Sequence, residues 1–286
     1  MPVPHDIGEL AFTAAGHIRQ ADGLLITAGA GMGIDSGLPD FRGPQGFWKA
    51  YPALGEAKLR FEEIASPHAF RDRPEMAWGF YGHRLALYRR TEPHRGFEIL
   101  RNIADRMPHG AFIYTSNVDG QFQKAGFASD RIKECHGTIH WLQCLDTCTD
   151  AIWKADFEPE IDEAACRMIS PLPRCPRCHG LARPNIMMFH DWGWIETLTR
   201  EQSRRWTTWR ASVENLVIIE LGAGMYIPSV RMFSEDAAHH GTLIRINPRE
   251  PDRPRRTTGV SLPVGALDGM EAVSDALFDT GFWDGA

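Results

Sequence analysis

Apolar positions recur at helical spacing from residue 6 to residue 21, through Ile7, Leu10, Ala14, Ile18 and Ala21, behind a capping Asp6. At Leu24–Thr27 that period gives way to a short continuous apolar run, the pattern of a strand buried on both faces. Helical stripes return over 75–90 and 94–107, the second through Phe97, Leu100, Ala104 and Met107. Mostly apolar runs then mark strands at 111–115 ("AFIYT"), Leu216–Leu221 ("LVIIEL"), Leu243–Ile246 and near 260–264, the last leading into a helix around 270–278. Alternating helices and fully apolar strands predict an α/β fold, a parallel sheet covered by helices on both faces. Residues 141–184 break the pattern: they hold five of the six cysteines and several prolines, and show little periodicity.

Composition narrows the class. A chain of 286 residues with 43% apolar content can build a sizeable core, which excludes intrinsic disorder. A net charge of −6 argues against nucleic acid as a partner, and the local run Arg253–Arg256 reads as a solvated loop. No apolar run approaches the roughly 18 residues of a membrane span. Met1–Asp6 lacks the features of a signal peptide, so a soluble cytoplasmic protein is expected. Six cysteines in so long a chain do not suggest a disulfide scaffold.

Three strand ends carry candidate chemistry. After the first strand comes "GAGMGIDSGLPDFRG", in which Gly29, Gly31 and Gly33 would let backbone amides approach a phosphate. A tight strand-to-helix turn accounts for these glycines equally well. The ordinary dinucleotide fingerprint also fails here. Ile34 stands where its third glycine belongs, and no acidic strand end follows about 20 residues later. The loop instead carries Asp40, Phe41 and Arg42, a set that hydride transfer does not need. The strand 111–115 ends in "TSNVDG", placing Ser116, Asn117 and Asp119 at the end where α/β sheets bind ligands. A turn favouring Asn and Asp is the plainer explanation. His136, in "ECHGTIH", falls on a loop.

Cys144 and Cys148 are separated by three residues, Cys175 and Cys178 by two, and the pairs by 26. Two such pairs predict a closed tetrahedral zinc site, structural because four thiolates leave no position for substrate. A redox pair or buried thiols are the alternatives. Cys135 and Cys166 remain over, and His179 is not needed as a ligand.

Taken in order, these motifs resemble those of the sirtuins over about Leu10 to Leu277. "GAGMGIDSGLPDFRG" is similar to their cofactor loop, "TSNVDG" to "TQNIDG", and "CHG" to "LHG". "RPNIMMFHD" is similar to "RPxVVxFGE", "LGAGMYIPS" to "GTSLxVxP", and "RINPRE" to the adenosine-side "IN" motif. The resemblance implies a Rossmann-like parallel sheet domain assembled from 1–48, 93–140 and 185–286. A smaller domain would combine a helical insertion, 49–92, with a zinc-binding module, 141–184. It implies NAD as a consumed co-substrate, structural zinc, and acylated lysine side chains of proteins as partners. The products would be nicotinamide and O-acyl-ADP-ribose.

Mapped by motif, Gly29, Ala30, Gly31, Asp40, Phe41, Arg42, Ser116, Asn117, Val118, Asp119, Gly222, Ala223, Gly224 and Asn247 would bind the cofactor. Phe41 would shield the cationic transition state from water. His136 would act as general base on a ribose hydroxyl, with Asn117 facing the nicotinamide ribose, and Phe189 would lie against the substrate. Tyr81 and Arg84, one helical turn apart, fall where desuccinylating sirtuins carry a Tyr-x-x-Arg pair, implying preference for acyl groups that end in a carboxylate.

Departures from the family pattern are Ser116 for Gln, Gly33 and Ile34 for small polar residues, Ala223 and Gly224 for the hydroxyls of "GTS", and His190 for Gly. They leave phosphate contacts to backbone amides. ADP-ribosyl transfer, NAD hydrolysis and a catalytically weak NAD-sensing module are the competing readings.

Overall fold

The computed structural model describes residues 6–39, 48–49 and 51–283. Its main sheet starts at β1 (Gly23–Ala28), with β2 (Ala111–Thr115) and β3 (Ile132–Glu134) added successively on one side. The chain then leaves this sheet to form β4 (Gly137–Cys144), β5 (Ile152–Lys154), the hairpin of β6 (Ile161–Asp162) and β7 (Arg167–Met168), and β8 (Ala182–Ile186). It returns to add β9 (Leu216–Leu221), β10 (Gly241–Ile246) and β11 (Gly259–Leu262) on the other side of β1. The order is β11-β10-β9-β1-β2-β3, and every pairing is parallel. The sheet therefore grows in opposite directions from β1. Loops leaving the carboxyl ends of β1 and β9 diverge at that reversal, and such a point opens a crevice for ligand.

Six helices position the site: α1 (Ile7–Arg19), α2 (Pro74–Arg90), α3 (Arg95–Ala104), α4 (Thr197–Arg210), α5 (Ser229–Ala237) and α6 (Ala266–Asp279). Strand alternation sorts all of them but α2 into two layers. Leu24, Ile26 and Ala28 of β1 face a cluster with Ala11 and Ile18 of α1, Leu100 of α3 and Met270 of α6. Leu25 faces the opposite way, into a cluster with Phe112, Ile218, Trp209 of α4 and Val230 of α5. Both faces of the central strands are thus largely apolar, apart from the buried Arg245–Glu220 pair, which is why those strands read as mostly apolar runs.

The sequence-based boundaries agree to within a few residues, apart from the start of α6. That helix begins at Ala266 rather than near 270. Its first turn is held from outside, because the Asp35 carboxylate accepts the Leu267 N–H at 2.9 Å. No local sequence signal reports a cap from so distant a residue.

A separate apolar cluster joins α2 to the β4/β8 region, through Phe70, Trp78, Phe80, Tyr81, Tyr88, Val118, Leu142 and Ile186. Here β4 pairs antiparallel with both β5 and β8. The β6–β7 hairpin lies directly on α2, where a Cβ at Gly79 would stand 2.1 Å from the Cys166 carbonyl oxygen. Among the described residues, no helix is long and apolar enough to cross a membrane.

Candidate active site

Five loops meet at the carboxyl ends of the sheet strands, those after β1, β2, β3, β9 and β10. After β1 the chain turns through a 3-10 segment, Ala30–Ser36. Its Gly31 N–H donates to the Gly222 carbonyl (3.1 Å) in the loop after β9, and the Gly29 N–H donates to the Leu221 carbonyl (3.0 Å). The two backbones nearly touch. A Cβ at Gly222, whose φ is +58°, would lie 2.4 Å from Gly31 backbone atoms. One at Gly29 would lie 2.8 Å from the Ala223 Cα. Glycine is thus required at Gly222 both by the left-handed backbone and by the space. Ala30 is exposed at this junction, while Gly31 and Gly224 are half-buried.

The loop after β2 joins from the other side. Thr115 Oγ1 donates to the Ala28 carbonyl (2.9 Å) and accepts the Asn117 N–H (3.0 Å). The Asn117 side chain donates to the Gly29 carbonyl at 3.0 Å. Val118 and Asp119 turn inward and are buried. The Asp119 carboxylate accepts the Gln121 N–H at 2.9 Å. Burial pushes its pKa up to about 6, against the lowering pull of that bond and of Arg84.

His136 follows β3. Its own backbone ties it to the substrate-side segment predicted around Phe189, since the Met187 N–H donates to the His136 carbonyl (2.9 Å). Its Nε2 lies 3.2 Å from the Ser229 hydroxyl, at the start of α5. Burial holds the imidazole below its ordinary pKa, with a backbone contact from Ser116 offsetting part of the shift. Such a ring is neutral and able to accept a proton near pH 7. Asn247, fully buried, donates to the Ala223 carbonyl (2.8 Å) and accepts the N–H groups of Arg249 and Glu250.

The predicted residues Gly29, Ala30, Gly31, Ser116, Asn117, Val118, Asp119, His136, Gly222, Ala223, Gly224 and Asn247 therefore gather at one end of the sheet, through the strand order and the bonds just given. Asp40, Phe41 and Arg42 lie outside the described residues. Phe189 is half-buried. Its N–H donates to the Ala65 carbonyl (2.9 Å) and its ring meets Phe61 edge-on. A buried ion pair fixes this segment: Arg183 Nη2 lies 2.7 Å from Asp191 Oδ2, with both side chains 1% exposed.

Tyr81 and Arg84 do share one face of α2, and both are buried. The Arg84 guanidinium donates to the Tyr88 hydroxyl from Nε (2.9 Å) and Nη2 (2.7 Å), and sits over the rings of Phe80, Tyr81 and Tyr88. Tyr81 stacks on Phe70.

The four predicted cysteine ligands converge. All their sulfurs lie within 4.8 Å of one another, with Cys144–Cys178 at 3.7 Å and Cys148–Cys175 at 3.6 Å. Zn–S bonds of about 2.3 Å place tetrahedral sulfurs about 3.8 Å apart, so the cluster fits zinc. His179 stands outside it in a left-handed turn (φ 59°). Sequence reasoning missed Ser229 and the Arg183–Asp191 pair. Both lie inside motif segments, but only the fold shows what they touch.

Comparison with known proteins identifies the family and the fold. The model of the Sir2 family matches residues 29–223. An NAD-dependent protein deacylase of Aquifex aeolicus is 28% identical over 79% of this chain and 84% of its own length. One of Deinococcus radiodurans is 30% identical over 89% of this chain and 94% of its own. The crystal structure of a Sir2 homolog–NAD complex matches with a TM-score of 0.69 at 23% identity, over 95% of this chain and 94% of that one, a likeness of fold.

Proposed function

The chain belongs to the Sir2 family, and from that membership together with the crevice we infer that it is an NAD-dependent protein lysine deacylase. The observation that carries this is the meeting of the Gly29–Ser36 turn, the Ser116–Asp119 loop, His136 and the Gly222–Gly224 loop where the sheet order reverses. NAD supplies a glycosidic bond to nicotinamide, which is broken, and the acyl-lysine amide oxygen attacks the ribose carbon so exposed. The glycine loops present backbone amides to the diphosphate, as Ala223 and Gly224 have no hydroxyls to offer. Asn117, fixed by the Gly29 carbonyl, faces the nicotinamide ribose, and Val118 with Asp119 lies against the carboxamide. His136, held neutral by burial, takes a proton from a ribose hydroxyl. The Ser229 hydroxyl orients its Nε2.

The substrate peptide lies beside Phe189, in the segment that the Arg183–Asp191 pair holds still. The large unit would comprise 1–48, 93–140 and 185–286, and the small one 49–92 and 141–184. Cys144, Cys148, Cys175 and Cys178 would hold a zinc ion that ties the module together. The buried Arg84 guanidinium, ringed by aromatics and hydrogen-bonded by a neutral phenol, supports a preference for succinyl- or malonyl-lysine. A carboxylate there would gain charged hydrogen bonds in a desolvated setting.

Incubation with NAD, with and without an acylated peptide, tests the reading. Nicotinamide release that depends on peptide is expected. Release without peptide would favour ADP-ribosyl transfer or hydrolysis, and no release a sensing module.

A further inference from the structure

His94 immediately precedes α3 and bridges that helix to the cofactor turn. Its Nδ1 accepts the Gly96 N–H at 3.0 Å, capping the first turn of α3. Its Nε2 lies 2.9 Å from the Met32 carbonyl oxygen, inside the Ala30–Ser36 segment. Its own N–H donates to the Ser36 hydroxyl at 3.0 Å. An amide N–H only donates and a carbonyl only accepts, so these partners select one neutral tautomer, protonated at Nε2 and bare at Nδ1. The close fit needs Gly96, where a Cβ would lie 2.6 Å from His94 Cε1. The ring packs edge-on against Phe97, with centroids 5.0 Å apart.

We propose that His94 is a pH-sensitive positioning residue for the cofactor turn: a proton on Nδ1 sets donor against donor at Gly96, releases the cap, pushes the ring off the start of α3, drags with it the Met32 segment that Nε2–H still holds, and weakens NAD binding. This rests on the assignment of NAD to the crevice. The charged groups facing the ring are Asp35 on the turn itself and Glu271 on α6, and both favour the cation, as does the Met32 carbonyl. Glu92, Arg95 and Glu98 are its neighbours along the chain. Burial outweighs these influences and holds the pKa below the ordinary histidine value. The fold thus favours the neutral ring. Its hold on the turn is complete above the ordinary histidine pKa and is lost as pH falls through the lowered one.

The test compares NAD dissociation constants of wild type and His94→Asn from about pH 7.5 to 5.5, a range in which histidines titrate. Asparagine keeps a capping oxygen for Gly96 but cannot titrate. The variant should bind NAD roughly three- to tenfold more weakly at pH 7.5, the loss of one net hydrogen bond. It should keep wild-type turnover at saturating NAD, and lose less affinity than wild type on acidification. Asp119 also titrates near 6 and contributes to both profiles, so the difference between them isolates His94. Parallel profiles overturn the proposal alone; a wild type that binds no NAD at any pH overturns it together with the NAD assignment. Nitrogen-15 shifts of the wild-type ring decide without any variant. The neutral Nε2–H tautomer at neutral pH supports the proposal, and the Nδ1–H tautomer overturns it.

Discussion

The thiolate cluster and the crevice both bring together residues far apart in sequence, but by different means. The cluster is made by two short knuckles, each a pair of cysteines close in sequence, whose sulfurs meet across the knuckles, Cys144 with Cys178 and Cys148 with Cys175, in an arrangement that fits one metal ion. The crevice is made by topology. β1 and β9 are neighbours although nearly two hundred residues separate them, and their glycine loops touch only because the sheet reverses direction there. On the proposed function, one region holds structure and lends no group to the chemistry, while the other carries the chemistry on backbone and a few side chains. Stability and catalysis should separate accordingly under mutation.

The largest effect is expected at the metal. Structural zinc contributes on the order of 10 kcal/mol to folding of small modules. Cys175→Ser should remove the bound zinc seen by metal analysis, lower the melting temperature and reduce solubility. A variant that keeps one zinc per chain and its thermal stability would break the division of labour.

His136→Ala probes the other side. It should reduce deacylation by roughly 10²–10⁴-fold, the usual loss for an acid–base group, with NAD binding and melting temperature nearly unchanged. A pH profile sharpens this. The depressed pKa of His136 means that its share of the rate is complete near neutrality and falls only as acid protonates the ring, below the ordinary histidine value. Full activity of the alanine variant would remove His136 from the mechanism.

Arg84→Met should reverse a preference for succinyl- over acetyl-peptide of about ten- to a hundredfold, the worth of charged hydrogen bonds at roughly 1.5–3 kcal/mol. Equal treatment of both peptides by wild type and variant would leave Arg84 without an acyl role.

Gly222→Ala should weaken NAD binding and cost about 1–2 kcal/mol for the left-handed backbone alone, with a further penalty from the Cβ pressed against Gly31. Unchanged NAD affinity would mean that the contact between the two loops does not shape the site.

The two regions also differ in how far the sequence discloses them. Spacing alone exposes the cysteines, because each pair is local. Mostly apolar runs expose the strands of the large sheet, because parallel strands are covered on both faces. The strands β4 and β8 carry polar residues that find partners inside the fold. Asn185 and Gln143 bond each other, and Arg183 pairs with Asp191, so neither period nor polarity marks these strands. Ser229 lies 93 positions from His136, and only the strand order brings them to 3.2 Å. The motifs name the crevice residues but not their neighbours. Asn117 bound to the Gly29 carbonyl and His94 bound to Met32 are facts of packing, without a periodic or spacing signature.

The most direct test of the whole account is product stoichiometry. Wild-type protein incubated with NAD and an acyl-lysine peptide should yield nicotinamide, deacylated peptide and O-acyl-ADP-ribose in equal amounts. Nicotinamide formed in excess of deacylated peptide, or acyl groups recovered only as the free acid throughout the time course, would contradict it.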